Sequence, residues 1–427
     1  MHLTAHLDVD VVAVETDDEV SVLLELTAPP AEPTGTTRPP ATLEVVLDRS
    51  GSMQSDGRLE GAKRALLALI DRLEPTDNFG LVTFDDETQV VVPAGPLTDK
   101  DAIRAAIGSV HSRGMTDLSG GYLCGLQEAR RAASAGAGAT LLLISDGHAN
   151  QGVTDHAQLG QIARQGHAAG VSTSTLGYGL GYDEELLGAI ADGGTGSALF
   201  GEDPDTAGRL IAGEVAGLLS KSAQAASLLI RPSAPVHGVA VLGGLPAVQL
   251  ADSTVMVELG DFWAGETRKL LLRFAVPAVA ALGLATVANL VLNYVELPSL
   301  DSQTVTVPVA VNVVPGDQAA GRIPNPTVTT EVAFQQAQDA KRKASDALRQ
   351  GDTDTATALL RDAGASLLVA QQAAPAGLAE DLSVEAAELD ELADRAQWDD
   401  SNRTSKAAYS SWHSQTRRRG RPASGSS

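Results

Sequence analysis

Between residues 43 and 220 short apolar runs alternate with helical patterns, and that alternation leaves few folds open. The spacing predicts strands at 43–47, 79–84, 89–92, 140–144, 171–176 and 198–200. Helices are predicted between them at 59–73, 101–107, 118–133, 155–169, 184–191 and 206–219. A parallel neighbour is reached only through a crossover, so strands separated by helices give a doubly wound, mostly parallel sheet. Ligands of such sheets bind outside the carboxyl ends of the strands.

The flanks change period. In 1–27, Leu7, Val9 and Val11, and then Val20, Val22, Leu24 and Leu26, alternate with polar residues around a turn at 16–19. This predicts a hairpin. Residues 28–42, APPAEPTGTTRPPAT, read as a proline-rich linker. Over 222–315, runs such as TVMVELG, ATVANLVLNYV and QTVTVPVAVNVV, parted by Gly, Pro and Asp turns, predict an antiparallel β-sandwich. A lone hairpin is marginal in water, so 1–27 is expected to pair with that sandwich. The fold class is therefore α/β, a doubly wound sheet over 43–220 inserted in a split β-sandwich, with a C-terminal helical unit. Two apolar stripes, Leu359, Leu360, Ala363, Leu367 and Leu368, then Leu382, Ala386, Leu389, Ala393 and Ala396, predict a helical hairpin or bundle over 328–398. Residues 404–427, with Arg417, Arg418, Arg419 and Arg421 before a Gly/Ser-rich end, are expected to form a basic disordered tail.

The charge of −23 over 427 residues opposes general binding to nucleic acid or anionic membrane. One cysteine, Cys124, excludes an intramolecular disulfide framework and a cysteine-rich zinc site. With no basic n-region or long apolar core at the start, a reducing cytoplasm is the expected setting, and the arginine, alanine and glycine usage fits a bacterial source. The stretch 274–292, FAVPAVAALGLATVANLVL, has the length of a membrane span. Pro277, Gly283 and its β-branched residues read instead as two strands and a turn.

The chemistry concentrates at strand ends. In LEVVLDRSGSM an apolar run closes on Asp48, with hydroxyls two and four residues on at Ser50 and Ser52. SRGMTDLSGGY brings Thr116 to a helix start, and LLLISDGHANQG ends a buried strand at Asp146. A parallel sheet carries all three loops to one edge. Two carboxylates and three hydroxyls, with no His or Cys, suit Mg²⁺, Mn²⁺ or Ca²⁺ better than zinc or copper, and few carboxylates favour Mg²⁺.

These residues resemble the von Willebrand factor type A family with its metal-ion-dependent adhesion site: D-x-S-x-S at Asp48, Ser50 and Ser52, then Thr116, then Asp146 after an apolar strand. The resemblance covers 43–220 and matches all five positions. It implies a non-enzymatic module in which the ion takes an Asp or Glu side chain of a partner protein as its last ligand. Gly51, Met53, Met115, Asp117, Gly147 and His148 flank the five and are expected to touch that partner, with a solvated loop as the alternative for His148. Intracellular relatives of this kind work beside AAA+ ATPases or other assemblies, which is the class of partner implied. Because the chain is strongly acidic, the ion would be required for an acidic partner to approach.

Two other readings compete. Haloacid-dehalogenase-type phosphatases share the layout and Mg²⁺, but need a second aspartate where this chain has Ser50. The other is a structural scaffold with a vestigial site. GYGLGYDEE (177–185) departs from dinucleotide-loop spacing and reads as a turn. GDTDTATALL (351–360) lacks the glycine and glutamate of a calcium loop, leaving Asp352 as a helix cap.

Overall fold

Whether a strand is apolar on one face or both decides where it lies in this molecule. The computed structural model describes all residues except 31–37, 134–137, 147–148, 235, 237, 251, 399 and 419–427. The chain opens with β1 (His2–Leu7), β2 (Val11–Ala13) and β3 (Asp18–Thr27). The α/β unit follows as β4 (Thr42–Asp48), α1 (Arg58–Arg72), β5 (Asn78–Phe84), β6 (Thr88–Pro96), α2 (Lys100–Gly108), α3 (Leu118–Ala132), β7 (Ala139–Ser145), α4 (His156–Ala168), β8 (Val171–Tyr178), α5 (Glu184–Gly193), β9 (Thr195–Gly201) and α6 (Pro204–Leu219).

Its six strands lie in the order β6-β5-β4-β7-β8-β9, all parallel except β6. Every residue of β4 and β5 is buried, as strands covered on both faces require. Alternate residues serve opposite layers. Val45 and Leu47 pack with Leu66 and Ile70 of α1 and Ile211 of α6, while Val46 packs with Tyr122 and Leu126 of α3 and Ile190 of α5. Strand β6 carries Pro93 and Pro96, which an edge tolerates because a proline there interrupts no central ladder. The chain leaves β4 toward β5 on one side and β7 toward β8 on the other, so the switch point of the sheet lies between the ends of β4 and β7.

After α6 come β10 (Lys221–Pro232), β11 (Gly238–Leu242), β12 (Ala247–Gln249), β13 (Val255–Trp263), β14 (Thr267–Val276), β15 (Gly283–Glu296) and β16 (Ser302–Val314). They form two sheets, β1-β3-β14-β11 and β12-β13-β10-β15-β16-β2, around one apolar core. Val22, Leu24 and Leu26 of β3 face inward beside Leu270 and Leu272 of β14, against Leu228 and Ile230 of β10 and Leu290 and Leu292 of β15. Strand β3 lies between β1 and β14, in register Leu24 to Leu270. The first 27 residues do more than make a hairpin: β2 crosses to the other sheet and pairs parallel with β16, Val11 opposite Asn312. The 274–292 stretch is the end of β14, a turn and most of β15, and no helix among the described residues is long and apolar enough to cross a membrane.

The chain finishes with a short α7 (Gly316–Ala319) and four longer helices, α8 (Pro326–Arg349), α9 (Thr353–Gln371), α10 (Ala376–Trp398) and α11 (Ser401–Arg418). Leu348, Leu360, Leu367, Leu382 and Leu389 share one core. Asp352 caps α9 by accepting from the Thr355 N–H. The expected disordered tail from 404 is corrected, because α11 runs to Arg418 and packs on α8 and β9. Its buried stripe of Thr404, Ser405, Ala408, Trp412 and His413 is largely polar or small, so hydropathy does not reveal it. The charges of this region are matched internally. Lys406 pairs with Glu184 and donates to the Tyr182 carbonyl, Arg403 pairs with Glu202, and His413 Nε2 faces Asp192. Arg419 and Arg421 lie outside the described residues.

Candidate metal centre

Asp48 ends β4 and Ser145 ends β7, so the two strands deliver Asp48 and Asp146 side by side at the switch point. Both aspartates are buried. The Ser50 N–H turns back to donate to Asp48 Oδ1 at 2.7 Å, an Asx turn, and Ser145 Oγ donates to Asp48 Oδ2 at 2.7 Å. Ser50 and Ser52 hydroxyls lie 3.1 Å apart, and Ser52 Oγ donates to Asp146 Oδ1 at 2.7 Å. Four of the five expected ligands thus form one hydrogen-bonded chain.

Thr116 comes to the same edge through its loop. The Gly51 N–H donates to the Gly114 carbonyl at 3.2 Å, and the Arg113 N–H to the Arg49 carbonyl at 2.8 Å. Gly114 has φ +69°, and a Cβ there would lie 1.8 Å from Asp86 Oδ1, so only glycine allows this approach. Asn150 clasps Thr116: its side-chain oxygen accepts from the Thr116 N–H at 3.1 Å, and its own N–H donates to the Thr116 carbonyl at 3.2 Å. The Thr116 hydroxyl has no hydrogen-bond partner among the described residues.

Under these loops Asp85 is fully buried, with Arg49 Nε at 3.0 Å and Arg113 Nε at 2.7 Å. Burial works to raise the Asp85 pKa, but the Glu87 N–H and the two guanidinium groups hold it below the ordinary carboxylate value. Asp48 goes the other way. Burial pushes its carboxyl up to about 6, the Ser145 and Ser50 bonds oppose the rise, and the charge of Asp146 adds to it.

The flanking positions divide. Met115 is half exposed and Gly51 is exposed. Asp117 caps α3, accepting from the Gly120 N–H. Met53 is corrected as a partner contact: it is fully buried in the layer under α1. Gly147 and His148 lie outside the described residues. Sequence reasoning missed Ser145, Asp85, Asn150 and Arg58, whose Nη1 donates to Asp146 Oδ2 at 2.7 Å. Only Ser145 carried a signal, as a hydroxyl placed directly before Asp146.

Among the described residues no group of three or more His, Cys, Asp or Glu is arranged to hold a metal ion. A cation at this edge would therefore draw on serine and threonine hydroxyls besides the two carboxylates. That donor set suits a hard ion of the Mg²⁺ class, which keeps several waters and needs few carboxylates.

Residues 43–211 match the model of the von Willebrand factor type A domain. YfbK of Escherichia coli is 30% identical over 182 residues, 42% of this chain and 32% of that protein. Inter-alpha-trypsin inhibitor heavy chain H1 of Sus scrofa is 28% identical over 176 residues, 39% of this chain and 19% of its own. The chain thus matches less than half the length of either relative. Among solved structures, a von Willebrand factor type A protein from Catenulispora acidiphila superposes with TM-score 0.69 at 20% identity, covering 92% of this chain and 89% of that one. The ArnB paralog VWA2 from Sulfolobus acidocaldarius gives 0.59 at 15% identity, covering 92% and 97%. These likenesses extend the fold beyond the α/β unit to nearly the whole chain. The doubly wound sheet and the family match identify residues 43–211 of this chain as a von Willebrand factor type A domain.

Proposed function

We propose that this chain is a non-enzymatic, metal-dependent protein-binding module. A von Willebrand factor type A domain is a general protein-interaction module, and the edge built by Asp48, Ser50, Ser52, Thr116 and Asp146 gives this one its means of recognition. Mg²⁺, with Mn²⁺ or Ca²⁺ as substitutes, would supply a positive centre with a free position for an Asp or Glu of a partner. The observation that carries this reading is the hydrogen-bonded chain from Asp48 through Ser50 and Ser52 to Asp146 at the switch point of the sheet. Asp48 fixes the first serine, Ser52 bonds the second aspartate, and the Thr116 hydroxyl has no hydrogen-bond partner among the described residues. A cytoplasmic assembly, of which an AAA+ ATPase is one kind, is the partner class in this reading, and the lone cysteine suits a reducing compartment. Phosphotransfer lacks a proton donor, since Ser50 stands at the acid's position and both Asp48 oxygens accept hydrogen bonds.

The test is thermal unfolding with and without Mg²⁺. Ligand binding to the folded state raises the melting temperature, so the wild type should rise with Mg²⁺ and the double variant Asp48→Ala, Ser50→Ala should not. Capture of a partner should fail with chelator and in Thr116→Ala. Equal melting with and without the ion would leave only a scaffold, and turnover of a phosphate ester lost in Asp48→Asn would favour the hydrolase.

A further inference from the structure

Arg58 is an odd choice for its place in the chain. It is the first residue of α1, behind a left-handed Gly57 that provides no side-chain cap. A cation there opposes the helix dipole, whose positive end lies at the N-terminus. Yet the side chain is 18% exposed, its Nη1 donates to the buried Asp146 at 2.7 Å, and its Nη2 reaches the exposed Asp56 at 3.0 Å. The protein also makes room for it. At Gly179, just past β8, φ is +75°, and a Cβ would lie 2.8 Å from the Arg58 Cζ. Arg58 and Ser52 between them occupy both oxygens of Asp146.

We infer that Arg58 is a specificity-determining countercharge of the metal edge, loosening its grip on the cation and strengthening its pull on an anionic ligand. The inference rests on the metal-binding reading above. Asp48 and Asp146 alone would cancel a divalent ion and leave a neutral centre. With the guanidinium fixed on Asp146, the buried groups of the loaded centre carry one net positive charge, which the 76% exposed and solvent-screened Asp56 carboxylate offsets only in part. That charge selects a carboxylate over a neutral oxygen ligand and helps overcome the long-range repulsion of a chain at −23. Without the ion, the same guanidinium relieves the repulsion between the two buried aspartates, so the empty edge keeps its shape. Arg49 and Arg113 do not share this role, because both are committed to Asp85.

The experiment is calorimetric titration of the full chain with Mg²⁺ and with Mn²⁺, comparing wild type, Arg58→Met, Arg58→Gln, Arg58→Lys and Asp48→Ala. Removing a unit charge beside a divalent ion should tighten metal binding about tenfold in Arg58→Met and Arg58→Gln, with Arg58→Lys close to wild type. A second readout follows water-proton relaxation of the Mn²⁺-loaded protein while acetate displaces coordinated water. The charge-removing variants should need several-fold more acetate. Opposite shifts of metal and acetate affinity are the signature, and no structural role for Arg58 produces them. Weaker or unchanged metal binding in both neutral variants, with Asp48→Ala still losing the ion, would overturn the countercharge alone. Metal binding equal in wild type and Asp48→Ala would overturn the reading beneath it as well. Unfolding scans without metal guard against misfolding, and Arg58→Gln serves if Arg58→Met does not fold.

Discussion

Strand β4 buries two acids one helical turn's worth of residues apart, and they could hardly be treated more differently. Asp48, at the carboxyl end, has a donor on each oxygen. Glu44, in the middle of the strand, has none on either, and its carboxyl sits in a notch left by Gly80 and Ala94. Burial, with the nearby charge of Glu128, pushes Glu44 up to about 9, with Arg131 opposing, whereas Asp48 is raised only to about 6. Both are shut from solvent, so burial alone does not set the state of an acid here. The donors do. The edge of the sheet is wired to keep a charge available, and the middle keeps its acid protonated.

The comparison breaks most decisively at Asp48. Asp48→Asn should weaken Mg²⁺ binding by about a hundredfold or more while shifting metal-free stability by only about 1 kcal/mol, since the amide keeps the shape and one of the two hydrogen bonds. Titration calorimetry and urea unfolding measure the two halves. Glu44→Gln should show the reverse: unchanged metal affinity and, at pH 7, a gain in stability of up to about 3 kcal/mol. The sign follows from proton linkage. Folding takes up a proton at Glu44 between the ordinary value of 4.5 and about 9, so its contribution to stability falls as pH rises through that window and levels off above it. The gain in the variant should accordingly vanish below about pH 4.

Gly80→Ala tests the notch itself. A Cβ there would lie 1.9 Å from Glu44 Oε2, so overpacking should cost about 2 kcal/mol, and Glu44→Ala in the same chain should recover most of it. The smallest effect belongs to the edge. Ser52 packs against little but is a donor on the buried Asp146, so Ser52→Ala should cost about 1 kcal/mol of metal-free stability while lowering Mg²⁺ affinity several-fold.

What the sequence disclosed follows the same division. Mostly apolar runs announced β4, β5 and β7, and their polar ends announced Asp48 and Asp146, because buried parallel strands accept such residues most readily where the ladder stops; Glu44, mid-strand, needs the notch at Gly80. Thr116 was legible by its place at a helix start. Arg58 was not, because an arginine in a first turn looks like ordinary helix surface until Gly179 and Asp146 close around it. Met53 read as a loop residue, yet it fills the layer under α1. Helix α11 escaped because its buried face is made of serine, threonine, lysine and histidine, whose partners Ser345, Glu184 and Asp192 lie far away in sequence. Strand β2 was too short to show that it leaves its neighbours for the other sheet.

The placement of β3 has a consequence for synthesis. Leu24 meets Ala5 of β1 early but finds its other neighbour only at Leu270, so one edge of β3 waits while roughly 250 further residues leave the ribosome, on the order of ten to fifty seconds. The α/β unit is complete well before then and can fold first, leaving the Val-Ser-Val-Leu-Leu segment of β3 paired with β1 alone and its other edge open. Asp17, Asp18 and Glu19 ahead of that segment, and Glu25 within the strand, are the gatekeepers that keep so apolar a stretch from joining its copies on neighbouring chains in the interval.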